Sequence, residues 1–257
     1  MPRSRWATFR RGLTPPRLLV LSFLALIVLG TLGLRWLPGL YVGGGLGWLD
    51  ALFTATSAVC VTGLIVVDTA THFTTAGQAF ILLLIQLGGL GILTFTTLVI
   101  VALGRRLSLH HEAVTANTAA VAPEIDFRHL VRNVVAFTFL FEGAGAVLLF
   151  LAWLPRFPLP EAGWHALFHA ISAFCNAGFS TFSDSLMGFQ GAPATLAVVM
   201  ALIVLGGLGF LTLEELHLQW TRRNGRRPRL SLHSRLALAT TGVLLVGGWA
   251  AFATLEW

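Results

Sequence analysis

The sequence predicts an all-α polytopic membrane protein made of a repeated unit: outer helix, re-entrant pore helix, filter turn, inner helix. Three observations carry that prediction. The chain is 56% hydrophobic and only 11% charged, with a mean hydropathy of +0.79, and it contains apolar runs of the length a bilayer needs, about 20 residues. Of its 17 basic residues, all arginine, fifteen gather in clusters, five in Arg3–Arg17, four in Arg105–Arg132 and six in Arg222–Arg235, with only Arg35 and Arg156 elsewhere. The string ALFTATSAVCVTGL at 51–64 returns as ALFHAISAFCNAGF at 166–179, with eight of fourteen positions identical at an offset of 115.

Residues 1–17 form an arginine-rich N-terminus, which the positive-inside rule assigns to the cytoplasm. The apolar run Leu18–Leu37 follows. It resembles a signal peptide in its basic start, but no small-residue cleavage site comes before Trp36 and Pro38, so it reads as a retained span. The first duplicated segment, Leu49–Val67, and a long apolar run, Ala76–Leu103, complete a first pore repeat over 18–103. Residues 104–129 read as a cytoplasmic or interfacial loop in which Pro123 ends any helix. Leu130–Leu154, the second duplicated segment and Ala194–Trp220 make a second pore repeat over 130–220. A basic cytoplasmic loop, 221–235, leads to Leu236–Leu255, read as the first helix of an incomplete third repeat over 236–257.

Parity decides the nature of the duplicated segments. If they crossed the membrane fully, the arginine clusters could not all share one side with the N-terminus; if they dip in and return outside, every cluster falls inside. The protein is therefore expected to be a multi-pass component of the cell membrane, inner or plasma, with lipid as its surroundings. Arginines confined to short loops are explained by topology, and nucleic-acid binding is not expected. Trp36, Trp48, Trp153 and Trp164 fall where helices would meet the outer interface, as an aromatic belt requires. Cys60 and Cys175 occupy matching repeat positions without metal or redox spacing and read as small reduced side chains.

Re-entrant backbone is tolerated at membrane depth only where protein buries it or water reaches it. An ion leaving water needs fixed oxygens, and main-chain carbonyls supply them without a charged side chain in the barrier. Small residues ending in glycine suit such a turn, so Cys60, Val61, Thr62 and Gly63, with Cys175, Asn176, Ala177 and Gly178, are the candidate ion-binding backbone. A loop that only packs is the bland alternative. Pore helices over Leu49–Ala58 and Trp164–Ala173 would aim C-terminal ends, each with roughly half a negative charge, at the bilayer centre, which favours a cation. Asp68 and Asp184 follow the turns and read either as pore-mouth acids that concentrate cations or as solvated loop acids.

Gly88, Gly89 and Gly91 recur as Gly206, Gly207 and Gly209 at an offset of 118, inside the inner helices. Glycine costs about 1 kcal/mol in a helix interior, so close helix packing or a hinge at the cavity wall must justify it. Glu142, in FLFEGAGAV, is a mid-span acid expected to face the bundle interior, as a neutral or helix-tied carboxyl or as an ion ligand. His165 and His169 flank a pore helix and read as interfacial or packing histidines. An intramembrane enzyme would need a paired acid, a serine–lysine pair or a histidine–carboxylate set at depth, and the chain has no lysine.

The strings TSAVCVTGL, LIQLGGLGILTF, ISAFCNAGF and IVLGGLGFLTL resemble the first two repeats of the Trk/Ktr/HKT superfamily of potassium transporters, and within it the KtrB-type membrane subunit. The resemblance covers about Leu18 to Leu255 and rests on two copies of two motifs in order. It implies a potassium-channel-like fold in which four repeats surround one pore, each with one essential filter glycine, here Gly63 and Gly178. It implies potassium, K+, as the transported ion, bound by backbone alone, and glycine in the first turn is associated with potassium over sodium. It also implies a homodimer and a cytosolic nucleotide-binding regulatory subunit as partners. This chain holds the first two repeats and one further helix of that pattern, and a basic partner for Glu142 would lie in the part it does not hold. Two functions are expected from this: potassium translocation as part of an uptake subunit, or a truncated, non-conducting remnant that only inserts and associates.

Overall fold

The structure, a computed structural model, describes residues 15–112, 127–221 and 230–255. Every regular element among them is a helix, apart from one isolated antiparallel bridge between Tyr41 and Phe73. Helix α1, Pro15–Trp36, begins with two prolines, which fit a first turn because its N–H groups have no intrahelical acceptor. Helix α2 spans Trp48–Val59, α3 is the short turn Thr69–His72, and α4 is the long run Thr75–Glu112. In the second half, α5 spans Phe127–Trp153, α6 Leu159–Phe174, α7 Pro193–Leu208 and α8 Phe210–Thr221. A single 3-10 turn, Met187–Phe189, lies between α6 and α7, and α9 runs over Leu232–Leu255.

Four of these helices are long and apolar enough to cross a membrane, at Leu19–Trp36, Thr75–Thr94, Val131–Trp153 and Leu232–Leu255. The pair α7 and α8 makes a fifth if it counts as one span. The duplicated segments form the short helices α2 and α6, of 12 and 16 residues. At 1.5 Å per residue α2 is about 18 Å long, well short of a 30 Å hydrocarbon layer.

The two halves pack alike. In the first, α1 and α4 close on α2 around Leu34, Ala51, Ala55, Ile81 and Ile85; in the second, α5 and α7 close on α6 around Leu149, Ala166, Ala170, Val199 and Leu202. Phe168, Cys175, Ala177 and Phe179 of the second half are buried in the core of the first. That shared core joins the halves directly.

The second inner helix departs from the continuous helix expected over Ala194–Trp220. It ends at Leu208, and α8 leaves at an angle of 103°. Gly209 sits at φ +79, a left-handed conformation that costs glycine little and other residues more. The matching glycine, Gly91, stays inside the unbroken α4. Packing separates the two: the bend buries Phe210 to 4% exposure against Val134 and Phe137, whereas its repeat counterpart Ile92 is 37% exposed. Gly209 therefore allows a bend that Phe210 stabilises.

Trp153 also departs from its expected role. It is fully buried, its indole Nε1 donating to Thr195 Oγ1 at 3.1 Å, so it is a core residue and not a membrane anchor. Trp36 and Trp48 are exposed and meet edge to face at 5.5 Å, while Trp164 donates from Nε1 to Gln78 Oε1 at 2.7 Å. That last bond ties the second half to α4 of the first.

Candidate functional site

The site is built from the ends of α2 and α6. Past Val59, the amides of Cys60, Val61 and Thr62 donate back to Thr56, Ala58 and Ser57 at 2.8, 3.3 and 3.0 Å. Past Phe174, the amides of Cys175, Asn176 and Ala177 donate to Ile171, Ala173 and Ser172 at 2.9, 3.0 and 2.8 Å. The same bonds recur at the repeat offset.

Each pore helix thus takes up the first three N–H groups of its own turn. Buried backbone groups need partners, yet no protein donor among the described residues reaches the carbonyls of residues 60–63 or 175–178. Val61 and Asn176 have φ of 50 and 59, and Gly63 and Gly178 have 73 and 74, with Thr62 and Ala177 between them outside the left-handed region. Alternating hand along a chain separates successive N–H groups from successive carbonyls, one set to each side. The turns therefore carry two short rows of carbonyl oxygens that no described backbone donor reaches.

These rows meet. A side chain built on Gly63 would touch the Ala177 carbonyl oxygen at 2.6 Å and the Gly178 Cα at 3.1 Å, and one on Gly178 would touch the Gly63 Cα at 3.3 Å. A cavity of about 260 Å³ opens beside Gly178, lined among others by His169, Ser172, Asn176, Ser180 and Ile203. Among the described residues no group of three or more His, Cys, Asp or Glu side chains is placed to hold a metal ion. Main-chain oxygen is the donor type on offer.

The inner-helix glycines serve different ends. Gly88 faces the Val59 carbonyl and Gly206 the Phe174 carbonyl so closely that any Cβ would collide, so both let the inner helix approach the end of its pore helix. Gly89 faces Cys175 Sγ across the repeat boundary, at 2.7 Å from a Cβ, whereas a Cβ at Gly207 meets nothing within 4 Å. Close packing explains three of the six and the bend explains Gly209. Gly91 lies against Phe23.

Glu142, on α5, is 2% exposed. Gln86 Nε2 of α4 donates to its Oε2 at 3.1 Å, and Cys175 Sγ lies 3.8 Å from its Oε1. The acid therefore sits behind the second turn between two neutral donors, and its described partners belong to this chain. Asp68 caps α3: its carboxylate accepts from the Ala70 amide at 3.0 Å, from Thr71 Oγ1 at 2.8 Å and from Ser183 Oγ at 2.5 Å. Partial burial pushes its pKa up, but the bonds from Ser183, Thr71 and Ala70 outweigh this and leave it lowered. Asp184 is exposed, with its Oδ2 beside Gly188. Of Asp68 and Asp184, it is Asp68 that has a described bond across the repeats.

Sequence reasoning missed Gln86 as a partner of Glu142 and Ser183 as a partner of Asp68. Ser183 lies 115 positions after Asp68, so the repeat offset itself carried that signal. Gln86 adjoins the glycine run of α4 and had no comparable mark.

The TrkH cation transport protein family matches this chain over residues 5–255. The chain belongs to that family. It is 40% identical over 241 residues to the Ktr system potassium uptake protein B of Vibrio alginolyticus, covering 94% of this chain and 52% of the relative. It is 39% identical over 247 residues to the Bacillus subtilis protein of the same name, covering 96% and 52%, and 36% identical over 248 residues to the potassium/sodium uptake protein NtpJ of Enterococcus hirae, covering 96% and 54%. The chain spans about half the length of the curated relatives it matches. Its place in the TrkH family and its long apolar helices make it a multi-pass membrane protein.

Proposed function

We propose that this chain supplies part of a potassium translocation pathway, in which the main-chain oxygens of Cys60–Gly63 and Cys175–Gly178 replace the water around K+. The observation that carries the reading is the pair of matching turns, joined at Gly63 and Gly178, whose amides are spent on their own helices while their carbonyls stay open. The C-terminal ends of α2 and α6 add negative potential at the same place, which selects for a cation. The potassium named in the relatives agrees with that sign.

In this reading the N-terminus and the arginine clusters face the cytoplasm, the pore helices enter a cell membrane from outside, and residues 18–103 and 130–220 are the two repeats. Asp68 holds the outer ends of the repeats together. Asp184 faces the solution at the mouth, and Glu142 supports the second turn from behind. The relatives named for a Ktr system support a place in a larger assembly, and in this reading its other members are a second copy of the membrane subunit and a cytosolic nucleotide-binding regulatory subunit.

The test is K+ flux into liposomes carrying the purified chain, beside a form extended by two further repeats of the same pattern. Flux in either form supports potassium translocation, and flux in the longer form alone assigns this chain a partial role. Flux in neither refutes the proposal.

A further inference from the structure

The two turns differ in how their outward strands are held. After the second turn, Ser172 Oγ donates to the Phe179 carbonyl at 2.6 Å. His169 Nε2 lies 2.9 Å from Ser180 Oγ, and His165 Nδ1 lies 2.6 Å from Thr181 Oγ1. Phe182 then packs between the same two histidines, with ring centres at 4.7 and 4.8 Å. The first turn is held by a single such bond among the described residues, from Thr62 Oγ1 to Ser57 Oγ at 3.1 Å, and it has no counterpart of the histidine pair. At the repeat offset His169, His165, Ser180 and Thr181 become Thr54, Asp50, Ile65 and Val66. Ile65 and Val66 are about half exposed, and Thr54 Oγ1 is buried without a partner among the described residues.

The hydrogens around His169 follow from its neighbours. Nδ1 faces the His165 carbonyl at 2.8 Å, which can only accept, so Nδ1 carries the proton. Nε2 is then bare and accepts from the Ser180 hydroxyl, whose oxygen in turn accepts from the Phe182 amide at 3.0 Å. Every donor in that chain is used once. A chain of bonds running from pore helix to outward strand fixes the strand two residues beyond Gly178.

We infer that His165 and His169 are positioning residues that hold the second turn in its ion-binding shape, so that the share of selectivity carried by this turn depends on them. The inference rests on the potassium reading above and adds to it the residues that set discrimination. It replaces a packing role for both histidines with a functional one.

Nitrogen-15 histidine spectra of the full chain in lipid nanodiscs read the clamp without any ion, and His169 should be a neutral imidazole protonated at Nδ1. The preference for K+ over Na+, read from backbone signals of residues 62–63 and 177–178 in the same sample, measures the consequence. His169→Phe and Ser180→Ala should each lower that preference by about fivefold, the equilibrium worth of one hydrogen bond, and the double variant should lower it no further. His169→Gln, whose amide oxygen can still accept from Ser180, should stay within about twofold of the parent, and so should Thr54→Val. Should His169→Phe fail to fold, Ser180→Ala carries the test. An imidazole protonated at Nε2 overturns the inference, as does an undiminished preference in Ser180→Ala alongside a K+-selective parent, an outcome that leaves the potassium reading intact. A parent with no K+ preference overturns the potassium reading, and this inference falls with it.

Discussion

Serine at position 63 meets two penalties that glycine avoids. The φ of +73 is left-handed, costing a residue with a Cβ about 1–2 kcal/mol. Its Cβ would also lie 2.6 Å from the Ala177 carbonyl oxygen, which is backbone and must retreat by most of an ångström; overpacking of this kind costs about 1–3 kcal/mol. Gly63→Ser should therefore lose about 2–5 kcal/mol of stability. At Gly178 the φ of +74 gives the same backbone cost, but the nearest atom is the Gly63 Cα at 3.3 Å, so Gly178→Ser should lose only about 1–2 kcal/mol. Because the displaced carbonyl belongs to the proposed ion-binding row, Gly63→Ser should also lower the K+ over Na+ preference about tenfold, the equivalent of about 1.4 kcal/mol. Thermal unfolding in detergent and competitive K+ and Na+ titration measure the two effects. If Gly178→Ser destabilises as much as Gly63→Ser, or if Gly63→Ser leaves ion preference untouched, the geometric reasoning is refuted.

Gly206→Ala drives a methyl into the Phe174 carbonyl and should cost about 1–3 kcal/mol, whereas Gly207→Ala should be neutral or stabilising by up to about 1 kcal/mol; the gap between their unfolding midpoints is the measurement. Trp153→Phe keeps most of the buried ring but strands the Thr195 hydroxyl, so about 1–3 kcal/mol of stability should disappear, and Thr195→Val in the same background should restore part of it. Asp68 has a lowered pKa when folded, so its bonds to Ser183, Thr71 and Ala70 stabilise the protein above the ordinary carboxylate range. That contribution is lost as pH falls through the folded value. Comparing acid unfolding of the parent with Asp68→Asn isolates it, and identical acid profiles would contradict the assignment.

The helices were legible because their evidence is local: runs of apolar residues of membrane length, separated by arginine. The turns were legible for another reason, since two copies 115 residues apart expose which positions a shared backbone shape demands, and Gly63 and Gly178 both proved left-handed. The break at Gly209 was hidden because both inner helices carry Gly-Gly-Leu-Gly. The difference lies in Phe210 against Ile92, and only the position of α5 reveals it. Trp153 was misread because a tryptophan at a helix end has the same sequence signature in an interfacial belt as in a core, and its partner Thr195 lies 42 residues away. Glu142 was recognised as an inward acid, yet its donors Gln86 and Cys175 come from two other elements. Asp68 had a local clue in Asp-Thr-Ala-Thr, a helix-capping pattern, which the repeat's stronger signal overshadowed.

The central claim is that the carbonyls of two joined turns take hold of potassium. Carbon-13 carbonyl signals of Thr62, Gly63, Ala177 and Gly178, followed as K+ replaces Na+ at constant ionic strength, test it most directly. The account predicts saturable, K+-specific shifts at all four positions and unchanged carbonyls in the largely exposed helix α9. Signals that respond equally to both ions, or not at all, would contradict it.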